Sequence, residues 1–123
     1  MKLTENFSLS EFTCNSGAEF PIELMENVKL LAEQLQVLRD FLCVPIKINS
    51  GYRTESHNKK VGGVKNSQHR TATAADIVVR GVPADLVQKT IKQLINDGKM
   101  KEGGLGCYLT FTHYDIRSKK ARW

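Results

Sequence analysis

The stretch SQHRTATAADIVV, residues 67–79, starts polar around His69 and ends in the uninterrupted apolar run Ile77, Val78, Val79 behind Asp76. A β-branched run with no polar residue to face water predicts a strand buried on both faces. Such a strand belongs inside a sheet with a layer packed over it, and the flanking sequence supplies both.

Upstream, EFPIELMENVKLLAEQLQVLRDFL (residues 19–42) carries Ile22, Met25, Val28, Leu31, Ala32, Leu35 and Leu38 at helical spacing, with Pro21 suited to the first turn. VPIKINS (44–50) alternates Val44, Ile46 and Ile48 with other residues and predicts a half-buried strand. The polar, Gly-ended GYRTESHNKKVGG (51–63) reads as a loop or a short helical turn. Downstream, VPADLVQKTIKQLINDG (82–98) predicts a second helix with Pro83 in its first turn. Its stripe is Leu86, Val87, Thr90, Ile91 and Leu94, and Gly98 is its stop. GGLGCYL (103–109) and FTHYDIR (111–117) read as a closing hairpin. The expected fold class is α+β: one domain over residues 1–123, with a small, mainly antiparallel sheet packed against two main helices.

The 123 residues suffice for a core without staples, and 41% hydrophobic with 25% charged residues is an ordinary globular balance. No apolar run approaches the ~20 residues of a membrane span. MKLTENFSLSEF has no apolar segment after its lysine, so no secretory signal is read there and synthesis in the cytoplasm is expected. Cys14, Cys43 and Cys107 are widely spaced, and reduced thiols are expected, with Cys43 and Cys107 as small core residues. The net charge of +5 favours anionic partners, and its densest cluster, RSKKARW (117–123), reads as a solvated, frayed end. Basic residues do not interleave with aromatics elsewhere, so nucleic acid is not an expected partner.

The chain has three histidines, and two of them sit where chemistry can converge. Strand alternation puts Phe111, His113, Asp115 and Arg117 on one face. Burying unpaired polar groups there would cost on the order of 2–7 kcal/mol each. That face is therefore either wet or met by counterparts, and His69 and Asp76 are available as such. The small residues Thr71 to Ala75 let the chain double back between His69 and Asp76. His69, Asp76 and His113 then make three N/O ligands, the count of a catalytic zinc that keeps a fourth position for water. Asp115 is the candidate general base for that water. Each half has a plainer reading, a polar loop before a strand and a hydrogen-bonded His-x-Asp pair. The conjunction favours the metal.

Ser67-x-His69, Ala74-x-Asp76, THYDIR and ARW together resemble the LAS-type zinc peptidases. These are the D-Ala-D-Ala carboxypeptidases and peptidoglycan endopeptidases that share a fold with the hedgehog signalling domain. NFSLSEFTC and SGYRTESHNKKVGG are similar to the short, single-domain versions common in phages and prophages. The resemblance implies a hedgehog/DD-peptidase-like fold with His69, Asp76 and His113 as Zn2+ ligands. It implies Arg53 near the substrate carbonyl, where a guanidinium steadies an oxyanion, and Ser67 shaping the loop or contacting substrate. His57 and Asn58 match its loop-fixing groups. The family usually has glycine at Ala72, and its other base positions correspond to Thr110 and Phe111, which leaves Asp115 to act as base. Tyr52, Tyr108 and Trp123 are read as packing residues.

The implied activity is zinc-dependent hydrolysis of peptide bonds in peptidoglycan stem peptides, by a monomer acting at the bacterial wall after release or within a virion. The alternatives are an inactive metal-binding module that recognises the wall or builds a phage particle, and a basic nucleic-acid binder.

Overall fold

The computed structural model describes residues 1–123. Pro21 opens a 3-10 turn over Ile22–Leu24, which runs into helix α1, Met25–Leu42. Val28, Leu31, Ala32, Leu35 and Leu38 recur every three or four residues along α1 and are all buried. Each fully buried leucine contributes about 1.5–3 kcal/mol. Ile22, expected in that stripe, is exposed because it lies on the preceding 3-10 turn rather than on the helix. Cys43 ends α1 in the left-handed conformation, its N–H donating to the Arg39 carbonyl.

Strand β1 is Ile46–Ser50, and the polar stretch after it forms the short helix α2, Glu55–Lys60. A 3-10 turn at Gln68–Thr71 carries His69 into strand β2, Ala74–Val79, buried along nearly its whole length as its sequence predicts. Helix α3, Ala84–Asn96, buries Val87, Thr90, Ile91 and Leu94, while Leu86 of the predicted stripe is half exposed. The hairpin is β3, Gly104–Cys107, and β4, Thr112–Asp115. A further strand, β5 (Ala121–Arg122), follows.

The sheet order is β1-β2-β4-β3-β5, antiparallel except for the β3–β5 pair. The architecture is α+β, two main helices with a five-stranded, mostly antiparallel sheet. Strand alternation gives the sheet two roles. Ala75, Ile77, Leu105 and Tyr114 join the helices in the hydrophobic core. Asp76, His113 and Asp115 face the other way. The register sets Asp76 opposite His113 and Ala74 opposite Asp115 on β4, with Gly104 and Gly106 opposite Asp115 and His113 on β3.

Two expectations are corrected. The 117–123 segment is not a frayed end: Cys107 N–H donates to the Trp123 carbonyl and Trp123 N–H to the Leu105 carbonyl, which zips it onto β3. Cys43 and Cys107 are exposed, one on a helix cap and one at the end of a strand, and Cys14 is the buried thiol; all three are free. No helix is long and apolar enough to cross a membrane.

Candidate metal centre

His69, Asp76 and His113 converge from the 3-10 turn, β2 and β4, and all three are buried. Their ligand atoms lie within 4.8 Å of one another. His69 Nε2 is 3.3 Å, and His113 Nδ1 3.1 Å, from the same oxygen, Asp76 Oδ1. Tetrahedral zinc with ligand bonds near 2.0–2.2 Å spaces its donors roughly 3.3–3.5 Å apart, so the cluster fits with little adjustment.

The outer ring nitrogens fix which nitrogens face inward. His69 Nδ1 lies 2.7 Å from the Gly51 carbonyl, which can only accept, so this nitrogen carries the proton and Nε2 keeps its lone pair for the centre. His113 Nε2 lies 2.7 Å from Asp115 Oδ2, which leaves Nδ1 facing inward. Ser67 caps the 3-10 turn through a 3.2 Å bond from the His69 N–H, and Ala72 closes it at φ 58°, in the left-handed region. That backbone region favours glycine, and here alanine takes it.

Arg53 is brought to the same cluster. Its Nη2 donates to Asp76 Oδ2 at 3.2 Å, Nε to Ser50 Oγ at 3.0 Å and Nη1 to Asn58 Oδ1 at 3.2 Å. Asn58 in turn donates to the Val64 carbonyl at 2.7 Å, so it fixes the 61–67 loop as expected. His57 contributes there through its backbone, donating to Thr54 Oγ1 and accepting from the Val61 N–H.

Asp115 lies elsewhere than a general base should. It is fully buried, and both oxygens are engaged. Oδ1 accepts from the Gly104 N–H (3.0 Å), the Arg117 N–H (3.1 Å) and Arg117 Nε (2.8 Å). Oδ2 accepts from Arg117 Nη2 (2.7 Å) and His113 Nε2 (2.7 Å). A Cβ on Gly104 would come within 2.4 Å of Asp115 Oδ2, so only glycine leaves room for the carboxylate. The expectation that Asp115 takes a proton from water in the cleft is therefore corrected: it stands behind His113, where it orients the imidazole. The reason is local, since Arg117, two residues on, folds its guanidinium back onto the carboxylate.

The charges agree with this arrangement. Burial pushes the Asp115 carboxyl up, but hydrogen bonds from His113 and Arg117 outweigh it and hold the group well below the usual carboxylate range. Burial also pushes Asp76 up, and bonds and charge from His113 and His69 bring it well below that range. His113 moves the other way: burial lowers its pKa, but bonds to Asp115 and Asp76 raise it net above its ordinary value. No buried side-chain polar atom of the protein lacks a partner, so the buried part of the polar face is met by counterparts.

The cluster opens into a cleft of about 490 Å³ whose lining includes Arg53, Ser67, Tyr108, Arg117 and Trp123. Asp76 is its only carboxylate. Tyr108 and Trp123, expected as packing residues, are both substantially exposed here, whereas Tyr52 is buried in the core. Trp123 and Arg117 are the site residues that sequence reasoning missed as such. Spacing from the histidines carries no signal for Trp123, because β5 reaches the site only by pairing with β3.

The family model described as Peptidase M15 matches residues 5–115, nearly the whole chain. No curated protein matches it.

Proposed function

The chain belongs to the M15 peptidase family, and from that premise we propose that it is a zinc-dependent peptidase. Its substrates on this reading are peptide bonds of peptidoglycan stem peptides, cut as a D,D-carboxypeptidase or an endopeptidase. The observation that carries the reading is the convergence of His69 Nε2, Asp76 Oδ1 and His113 Nδ1, with both outer ring nitrogens engaged. Zinc bound there would polarise the scissile carbonyl and acidify a water molecule.

The other roles belong to the chain itself. Arg53 keeps its guanidinium 3.2 Å from Asp76 and offers positive charge where negative charge develops on the carbonyl oxygen. Ser67 holds the His69 turn and faces the cleft, where it can also touch substrate. Asp115 orients His113 and Asp76 is committed to the metal and to Arg53, so on this reading the proton of an attacking water passes to the solvent of the open cleft. The site of action is the bacterial wall, reached after release from the cytoplasm or in a virion.

One observation favours the second reading, an inactive metal-binding module: the cleft holds no carboxylate besides Asp76. Zinc content of the purified protein, with mass analysis of a defined muropeptide digest, tests both. Stoichiometric zinc with a single cleaved bond supports the peptidase. Stoichiometric zinc with intact muropeptide supports the module, and protein without zinc affinity sinks both.

A further inference from the structure

The cleft has an aromatic wall that the metal chemistry does not use. Trp123 reaches it because β5 pairs in parallel with β3, Gly104 beside Ala121 and Leu105 beside Arg122. The indole ring then lies 4.9 Å from the His113 ring, centroid to centroid. Its Nε1–H donates to the Tyr108 hydroxyl at 2.8 Å. The Tyr108 ring is stacked on Phe111 at 4.4 Å and 7°. The Arg117 guanidinium carbon sits 5.3 Å from the indole centroid. A Cβ on Gly106 would meet Trp123 Cε2 at 2.6 Å, so the strand beneath is cleared for the indole.

A packing role predicts burial, and the comparison within this molecule decides against it. The aromatic residues that pack, Phe7, Phe12 and Tyr114, are at most 1% exposed, whereas Trp123 is 48% and Tyr108 42% exposed. An indole fixed by a hydrogen bond, a cation and a cleared strand, yet half open to a cleft, is a surface ordered in advance. Little rotamer entropy remains to be lost when something stacks on it. Val61 and Val64, both exposed, add apolar surface to the lining of the same cleft.

We propose that Trp123, backed by Tyr108, is a specificity-determining residue that packs against an alkyl side chain of the substrate residue bound beside His113. The proposal rests on the peptidase reading above and adds to it a contact and the chemistry that contact selects. Trp123 touches substrate; it is not needed to hold the metal, whose ligands are oriented by Gly51 and Asp115.

The test compares wild type, Trp123→Ala, Trp123→Phe and Gly106→Ala on a soluble muropeptide, with bound zinc measured in each. Trp123→Ala is expected to keep full zinc and to raise KM about tenfold, the size of one aromatic contact, with kcat within about twofold of wild type. Trp123→Phe is expected to recover most of the loss. Gly106→Ala, which replaces no cleft side chain but displaces the indole, is expected to raise KM in the same direction. An unchanged KM in Trp123→Ala overturns the proposal, and so does loss of zinc with it, which would make Trp123 a support for His113.

A zinc-loaded wild type that cuts no muropeptide defeats the peptidase reading instead, and binding then tests the wall. Trp123 is the chain's only tryptophan, so its fluorescence reports contact directly. A saturable shift on muropeptide titration upholds the wall, and a flat titration removes it.

Discussion

His69 and His113 present nitrogens to the same oxygen of Asp76, but they are held by different chemistry. His69 is tethered to a backbone carbonyl, that of Gly51. That carbonyl is itself locked, because Tyr52 N–H donates to the Phe12 carbonyl and Gly51 packs so closely that a Cβ would lie 2.7 Å from Phe12 Cα. His113 is tethered to a side chain, Asp115, which is held by Arg117 and the Gly104 N–H. One ligand is oriented by the fold, the other by a chain of side chains. Mutation can therefore loosen His113 without touching it, whereas His69 can be loosened only by disturbing the backbone.

The largest effect should come from the ligands themselves and should be equal on the two sides. His69→Ala or His113→Ala each removes one of three donors, and neither purified variant is expected to hold stoichiometric zinc. Full zinc in either variant would strike that residue from the ligand set.

The comparison sharpens at the next step out. Asp115→Asn leaves a group that can still accept from His113 but removes the charge. It is expected to weaken zinc binding by about 10–100-fold, the range for losing an orienting partner. Competition with a chelator measures it. Asp115→Asn with wild-type zinc affinity but no turnover would instead restore Asp115 as the proton acceptor. Gly51→Ala should act on the other side by another route, lowering thermal stability as Phe12 is displaced, with zinc affinity falling in step. A stable Gly51→Ala protein of full zinc affinity would show that the carbonyl tether is dispensable.

Acid should separate carboxylates from imidazole in the zinc-free protein. Asp76 and Asp115 have folded pKa values below their unfolded ones. The stability they contribute is present above about pH 4 and lost as pH falls through the folded values. His113 has a raised folded pKa, so its contribution is full below about pH 6.5 and lost as pH rises through the folded value. Zinc needs His113 unprotonated, so the loaded protein should gain on the apo protein as pH rises. Melting curves with and without chelator from pH 3 to 8 check this; parallel curves would break it.

The asymmetry also explains what the sequence made legible. His69 and Asp76 share one stretch, and the small residues between them announce a chain that doubles back. His113 and Asp115 follow from strand alternation alone, and the core stripes of α1 and α3 follow from helical spacing. Asp115's position behind His113 was not legible, because it depends on Arg117 curling back over a carboxylate and on Gly104 leaving the space. Trp123 was not legible either. A segment as rich in lysine as SKKARW has no strand signature, and its pairing with β3 is made by backbone groups that every residue carries.

The smallest expected effect tests how tightly the backbone side is tuned. Ala72 ends the turn that carries His69, its N–H donating to the His69 and Gln68 carbonyls, and it holds φ 58° while nearly fully buried. A left-handed alanine costs about 1–2 kcal/mol. Glycine would relieve that, but it would lose about 0.8 kcal/mol of buried methyl and a further ~0.5–1 kcal/mol of chain entropy. The terms nearly cancel, so Ala72→Gly should change stability by less than about 1 kcal/mol and leave zinc affinity unchanged. Ala72→Val should destabilise clearly, because a β-branched residue at positive φ is a true outlier in a site with no room to adjust. Were glycine to stabilise the protein by much more than that, the buried methyl would count for little. His69 would then hang from a strained turn rather than a settled one.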